Sequence, residues 1–157
     1  LKKTETYCID LASPLKQVKK EHSTVNVLQG NIATMTFPKG WINFDVVMMR
    51  SVMYHLSPRE KIKALNKIKT VLATGGVIVD KEYDVKANEE VAKVFNNETR
   101  RITLGPTFSI ATSTMLNEYD KYGFQLIESH SSKCNTPYMD VPNHFVWCVM
   151  MALRKKN

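Results

Sequence analysis

Apolar residues recur along this chain with two periods, and the places where the period changes outline its elements. Between residues 58 and 72, Ile62, Leu65, Ile68 and Leu72 return at helical spacing, which predicts an amphipathic helix with those four on its inner stripe. Lys61, Lys63, Lys67 and Lys69 then fall on its flanks and outer face. The start of this helix is written in "SPRE": Ser57 can cap, Pro58 suits the first helical position and Glu60 stands third, which are the parts of a capping box. Short apolar runs predict strands at residues 6–9, 25–29, 44–49, 77–79, 124–128 and 145–153. In the third of these, "FDVVMM" is apolar enough to predict burial on both faces.

Further helices are expected after Ser13-Pro14, where Leu15, Val18 and His22 share a face, over residues 87–101, and in a segment closing near Tyr122-Gly123. Phe37-Pro38-Lys39-Gly40 reads as a turn. The pair Gly75-Gly76 lies in "VLATGGVIVD". A nucleotide cradle runs strand, glycines, helix, so that a helix N-terminus faces the ligand. Here a helix comes first and a strand follows, which makes the pair a helix stop and strand entry. Strands and helices alternate over the first two thirds of the chain, and parallel neighbours need such crossovers. The expected fold is an α/β sheet, mostly parallel and flanked by helices. The last two strands have no helix between them and should pair antiparallel, as an edge hairpin.

The 157 residues suit one domain; 43% are apolar and 24% charged, as in an ordinary globular protein. No apolar run approaches the ~20 residues of a membrane helix, and no signal peptide is apparent. Cys8, Cys134 and Cys148 are odd in number and lack a CxxC pair. Cys8 and Cys148 sit in apolar runs and are read as buried, reduced thiols, which favours a cytoplasmic setting; Cys134, in a polar loop, is a lesser candidate nucleophile. His22, His55, His130 and His144 show no zinc-ligand spacing, so no metal is expected. The net charge of +7 raises an RNA-binding module built on the Lys61 to Lys69 face. A solvated helix face explains those lysines more simply, because no aromatic platform accompanies them.

Four segments in order resemble class I S-adenosylmethionine-dependent methyltransferases. "YCIDLASPL" is similar to the family's second strand and the acidic residue at its end, and "VLQGNI" to its third strand and adenine loop. "FDVVMMRSVMYHL" resembles the fourth strand and the acceptor-facing segment after it, and "IKTVLATGGVIVD" the helix, turn and fifth strand. The resemblance implies a Rossmann-like methyltransferase sheet with S-adenosylmethionine as cofactor. It places Asp10 on the ribose hydroxyls with Leu11 beside it, Asn31 and the backbone N–H of Ile32 at the adenine, and Met49 and Arg50 along the methionine part. Tyr54 and His55 then face the acceptor, with His55 a candidate general base. The alternative for Asp10 is a helix cap, Asn31 reads equally as a turn former, and packing against the Pro58 helix is the simpler reading of His55.

The family's glycine-rich loop is not among the six glycines, at 30, 40, 75, 76, 105 and 123, and the first recognisable element already matches the second strand. Residues 1–157 are therefore expected to form one incomplete methyltransferase-like domain. The missing strand would lie between the one ending at Asp10 and the one starting at Phe44, and its absence leaves two unpaired interior edges. An upstream segment or a partner chain would have to supply it. The expected function is methyl transfer to a small-molecule or RNA acceptor. The alternative is a non-catalytic methyltransferase-like subunit that stabilises or positions an active partner.

Overall fold

A computed structural model describes residues 5–11, 15–83, 112–134 and 146–156. In chain order these form β1 (Tyr7–Asp10), α1 (Leu15–Glu21), β2 (Asn26–Gln29), β3 (Phe44–Arg50), a 3-10 turn (Met53–His55), α2 (Pro58–Val71), β4 (Leu72–Tyr83), α3 (Thr112–Lys121), β5 (Phe124–Cys134) and β6 (Val146–Lys155). The helix expected over residues 87–101, the Ser13-Pro14 helix start and the Pro-containing loop before β6 lie outside the described residues.

The strands form two sheets, parted where the missing strand was expected. β1 and β2 pair in parallel, Tyr7 opposite Asn26 and Asp10 opposite Gln29. The second sheet has the order β3-β4-β6-β5, with β3 parallel to β4 and β6 antiparallel to both β4 and β5. The predicted antiparallel C-terminal pair is therefore present, with β5 on the edge. Among the described residues, the edges of β1 and β3 are each paired on one side only, where the missing strand was expected. The two sheets meet through an aromatic cluster. The Tyr7 ring centroid lies 4.7 Å from that of Trp41 and 5.1 Å from that of Phe44, both in edge-to-face geometry that suits ring quadrupoles.

The start of α2 is as the sequence predicted. The Ser57 hydroxyl accepts from the Glu60 N–H, and the Glu60 carboxylate accepts from the Ser57 N–H at 2.9 Å. The capping box thus satisfies two of the donors a helix start leaves open. The phase of the helix differs from the prediction. Lys61 is buried with Ala64, Leu65, Ile68 and Val71, whereas Ile62 is exposed. Positions 61, 64, 65 and 68 step by three and four and share a face; burial lowers the Lys61 pKa, and the nearby Glu118 and Glu82 partly offset this.

Three other expectations are corrected. Helix α2 ends with Leu72 as its C-cap, and Gly75 and Gly76 lie inside β4, not at the helix stop. There the register slips from Phe44 opposite Leu72 to Val46 opposite Val77. Gly75 has φ of +74°, and a Cβ at Gly76 would come within 2.9 Å of the Phe44 carbonyl, so each glycine serves the irregularity in its own way. Strand β3 is buried on one face only: Met49 is enclosed while Val46 and Met48 are exposed. Cys148 is disulfide-bonded and so is not the reduced thiol expected. Cys8 is free and partly buried, and burial, with the neighbouring Asp10 charge, raises its thiol pKa.

One core closes the four-stranded sheet. Met49, Ile78, Val149, Met151 and Leu153 from the strands meet Leu65 and Ile68 of α2 and Met115 and Tyr119 of α3. No helix among the described residues is long and apolar enough to cross a membrane.

Candidate functional site

In a sheet of parallel strands, the side chains that can reach a ligand follow the carboxyl ends of the strands. Two groups of sequence-predicted residues occupy such positions. Asp10 ends β1 with its side chain exposed, and Leu11, the next residue, is one of the most exposed apolar side chains described. The register sets Asp10 beside Gln29, and the Gly30 N–H donates to the Asp10 carbonyl at 2.9 Å. The Gln29 side-chain amide donates to the Leu11 carbonyl. Asp10, Leu11 and the start of the loop after β2 are thus adjacent.

That loop is tightly wound. Asn31 Oδ1 accepts from the Ala33 N–H at 2.8 Å, and its backbone carbonyl accepts from Thr34 and Met35. Such a local bond is what turn-forming asparagine provides. Its amide nitrogen donates to Glu60 Oε1 at 3.2 Å. Asn31 therefore does the structural work that its simpler reading proposed, and its carbonyl oxygen keeps one lone pair for a ligand. Ile32 is half-buried and packs on the main core.

The second group lies beyond β3. Met49 points into the core, so only its backbone can meet a ligand, whereas the Arg50 side chain is exposed. The chain then leaves the strand at Ser51, whose φ of +55° is uncommon for a residue with a side chain. The Ser51 N–H remains bound to the Lys81 carbonyl at 2.8 Å. The 3-10 turn Met53–His55 follows. His55 is half-buried and engaged within the protein; the Tyr54 side chain lies outside the described ones. The two groups are tied through α2. Its first turn, which follows directly from the 3-10 turn, carries the Glu60 that holds Asn31, and Lys67 further along donates to the Met35 carbonyl.

A cluster that the sequence reading passed over lies beneath the 3-10 turn. Asp80 and Glu82 alternate on β4 and are both buried. Glu82 Oε1 accepts from the N–H groups of Val52 and Met53, at 2.9 and 2.8 Å. The Tyr119 hydroxyl donates to Asp80 Oδ2 at 2.6 Å. Burial raises the Asp80 pKa to about 6. Burial and the Asp80 charge push that of Glu82 well up, and burial also raises Tyr119. The period-2 pattern held a signal: two acids at i and i+2 in an apolar strand must share one face.

The exposed Asp10 carboxylate at the β1 tip, with the adjoining loop of Asn31 and Ile32, suits a ligand carrying a diol and a flat heterocycle. The described residues offer no glycine cradle beside it.

A family described as a methyltransferase domain matches residues 2–80, half of the chain. No curated protein matches it in sequence at a significant level. In three dimensions the chain resembles an S-adenosylmethionine-dependent methyltransferase from Methanosarcina mazei, with TM-score 0.73 and 11% identity over 96% of this chain and 81% of that one. It also resembles the N-methyltransferase NodS from Bradyrhizobium japonicum, solved with S-adenosylhomocysteine (TM-score 0.67, 13% identity, 96% and 66%). A third is the 1,6-didemethyltoxoflavin-N1-methyltransferase of Burkholderia thailandensis, solved with 1,6-didemethyltoxoflavin and S-adenosylhomocysteine (TM-score 0.66, 12% identity, 98% and 62%). At these identities the likeness is one of fold.

Proposed function

The chain belongs to the methyltransferase domain family, and from that premise we propose that it moves a methyl group to a small organic acceptor held against the segment after β3. The cofactor is S-adenosylmethionine. When bound it supplies an electrophilic methyl on a sulfonium, a chemistry that asks the protein mainly for alignment of nucleophile, methyl and sulfur. In this reading Asp10 accepts from the ribose hydroxyls, with Leu11 covering the sugar. Asn31 and the Ile32 N–H address the adenine edge, and the Met49–Arg50 backbone lies along the amino-acid part. Tyr54 and His55 border the acceptor, and His55 takes a proton where the acceptor must lose one.

The observation that carries the reading is the Asn31 to Glu60 hydrogen bond. It joins the loop after β2 to the helix that begins where the acceptor segment ends, so the two halves of the site are held as one unit. A small acceptor is favoured over RNA because Lys61 is buried and Lys67 is bound to the Met35 carbonyl, which takes two of the four lysines from the proposed basic face. The 1,6-didemethyltoxoflavin-N1-methyltransferase is a small-molecule precedent on the same fold.

Calorimetry with S-adenosylmethionine and S-adenosylhomocysteine tests the proposal. Saturable binding that weakens at least about tenfold in Asp10→Ala is expected, a loss on the scale of hydrogen bonds to a charged group. No binding by the full protein would end it.

A second reading has its own support. Among the described residues β1 and β3 are each paired on one side only, and a strand seated between them, from an upstream segment or a partner chain, would satisfy both edges. A non-catalytic subunit that stabilises a partner would use the same edges. A stoichiometric partner on purification, with no binding of the cofactor by the complex, would favour that version.

A further inference from the structure

The turn that carries Tyr54 and His55 is held from below by one side chain. Glu82 Oε1 accepts two consecutive N–H groups, those of Val52 and Met53. The turn departs from β3 through the positive-φ Ser51, a conformation that persists only where its surroundings enforce it. Glu82 is in turn fixed by its neighbours. Its side chain lies beside that of Asp80, two residues away on the same face of β4, and Tyr119 donates to Asp80 Oδ2. Asp80 Oδ1 and Glu82 Oε2 are buried with no hydrogen-bond partner among the described residues. Two facing carboxyls in this state are satisfied by one proton held between them.

We propose that Glu82, braced by Asp80 and Tyr119, is a positioning residue that sets the Val52–His55 turn and thereby the two residues assigned to the acceptor. The importance of this for methyl transfer rests on the function proposed above; the clamp itself does not. The other groups facing the pair are Lys61 from α2 and Glu118 from α3. On the flanking strands, Met49 and Met151 stand opposite Asp80, and Val149 stands opposite Glu82, none of them titratable. The proton therefore belongs to a cluster of two carboxyls, one tyrosine, one lysine and one further glutamate. A loss of the shared proton sets two buried negative charges side by side and loosens the clamp.

Site-resolved amide exchange on the full protein, corrected for intrinsic rates, tests this. In Glu82→Ala the Val52 and Met53 amides should lose at least about tenfold in protection while Ile78 and Leu153 change by less than about threefold, since local and global opening are separable. Glu82→Gln keeps an acceptor for the turn and places an N–H where the shared proton sits. It should preserve the protection of both amides and abolish its fall with rising pH in the wild type. Undiminished protection in Glu82→Ala would overturn the proposal. Should that variant not fold, the same pH profile in Glu82→Gln as in the wild type would overturn it. Loss of cofactor binding in calorimetry would remove the proposed function and leave the clamp standing.

Discussion

The two sheets are made of similar short apolar strands, but they are not equally enclosed. In the four-stranded sheet Ile78, Met151 and Leu153 have no exposed surface, and α2 and α3 cover the face they occupy. In the two-stranded sheet no residue of β1 or β2 is buried. The contrast recurs within β3, where Met49 is 2% exposed and adjacent Met48 is 67% exposed. Apolar content makes a strand, and only a covering layer makes a core. The proposed site straddles this difference, with its adenosine end on the weaker sheet and its acceptor end on the stronger one.

The sharpest way to break the comparison is to damage the core beneath α2. Leu65→Ala deletes a side chain with 1% exposure and should destabilise the four-stranded sheet by about 2–5 kcal/mol, read as a lowered denaturant midpoint.

A pH titration sharpens the contrast next. Folding raises the Asp80 pKa from 3.8 to about 6 and raises that of Glu82. The folded state therefore binds protons more tightly, and this contribution is greatest below about pH 4 and is lost as pH rises through 6. Glu60, whose pKa is lowered by its Ser57 bonds, acts in the opposite sense and loses its contribution as pH falls below the ordinary glutamate range. Stability should be greatest near pH 4 and decline by on the order of 1–3 kcal/mol toward pH 7.5. Asp80→Asn should flatten that decline in urea titrations at the two pH values.

Ser57→Ala removes the cap at the junction of the two site halves and should cost about 1 kcal/mol, with faster amide exchange at Glu60 as the local sign. The smallest effect belongs to the open face. Met48→Thr should change stability by less than about 0.5 kcal/mol, and a thermal midpoint that falls as far as in Leu65→Ala would show that this face is covered in solution.

Much of the architecture was legible beforehand. The capping box at Ser57, the strand character of residues 77–79 and the antiparallel terminal pair each follow from a few adjacent residues, whose effect is local. Asp10 and Asn31 were legible as candidates because strand tips are readable from apolar runs. The split of the sheet was expected from the missing glycine-loop strand. The exposed face of β3 was not expected, since "FDVVMM" says that a strand is apolar and does not say how many layers reach it. Glu82 escaped notice because its partners, Val52 and Met53, lie 30 and 29 residues away.

By itself, then, the sequence determined the order of the described elements and the family, because hydrogen-bonding pattern and side-chain period are properties of short segments. The tertiary structure alone decided which way α2 is turned, with Lys61 inside and Ile62 out, and that two acids lie buried under the 3-10 turn. A charge is kept inside only by countercharges and donors brought from distant parts of the chain, and no local spacing records where those will be.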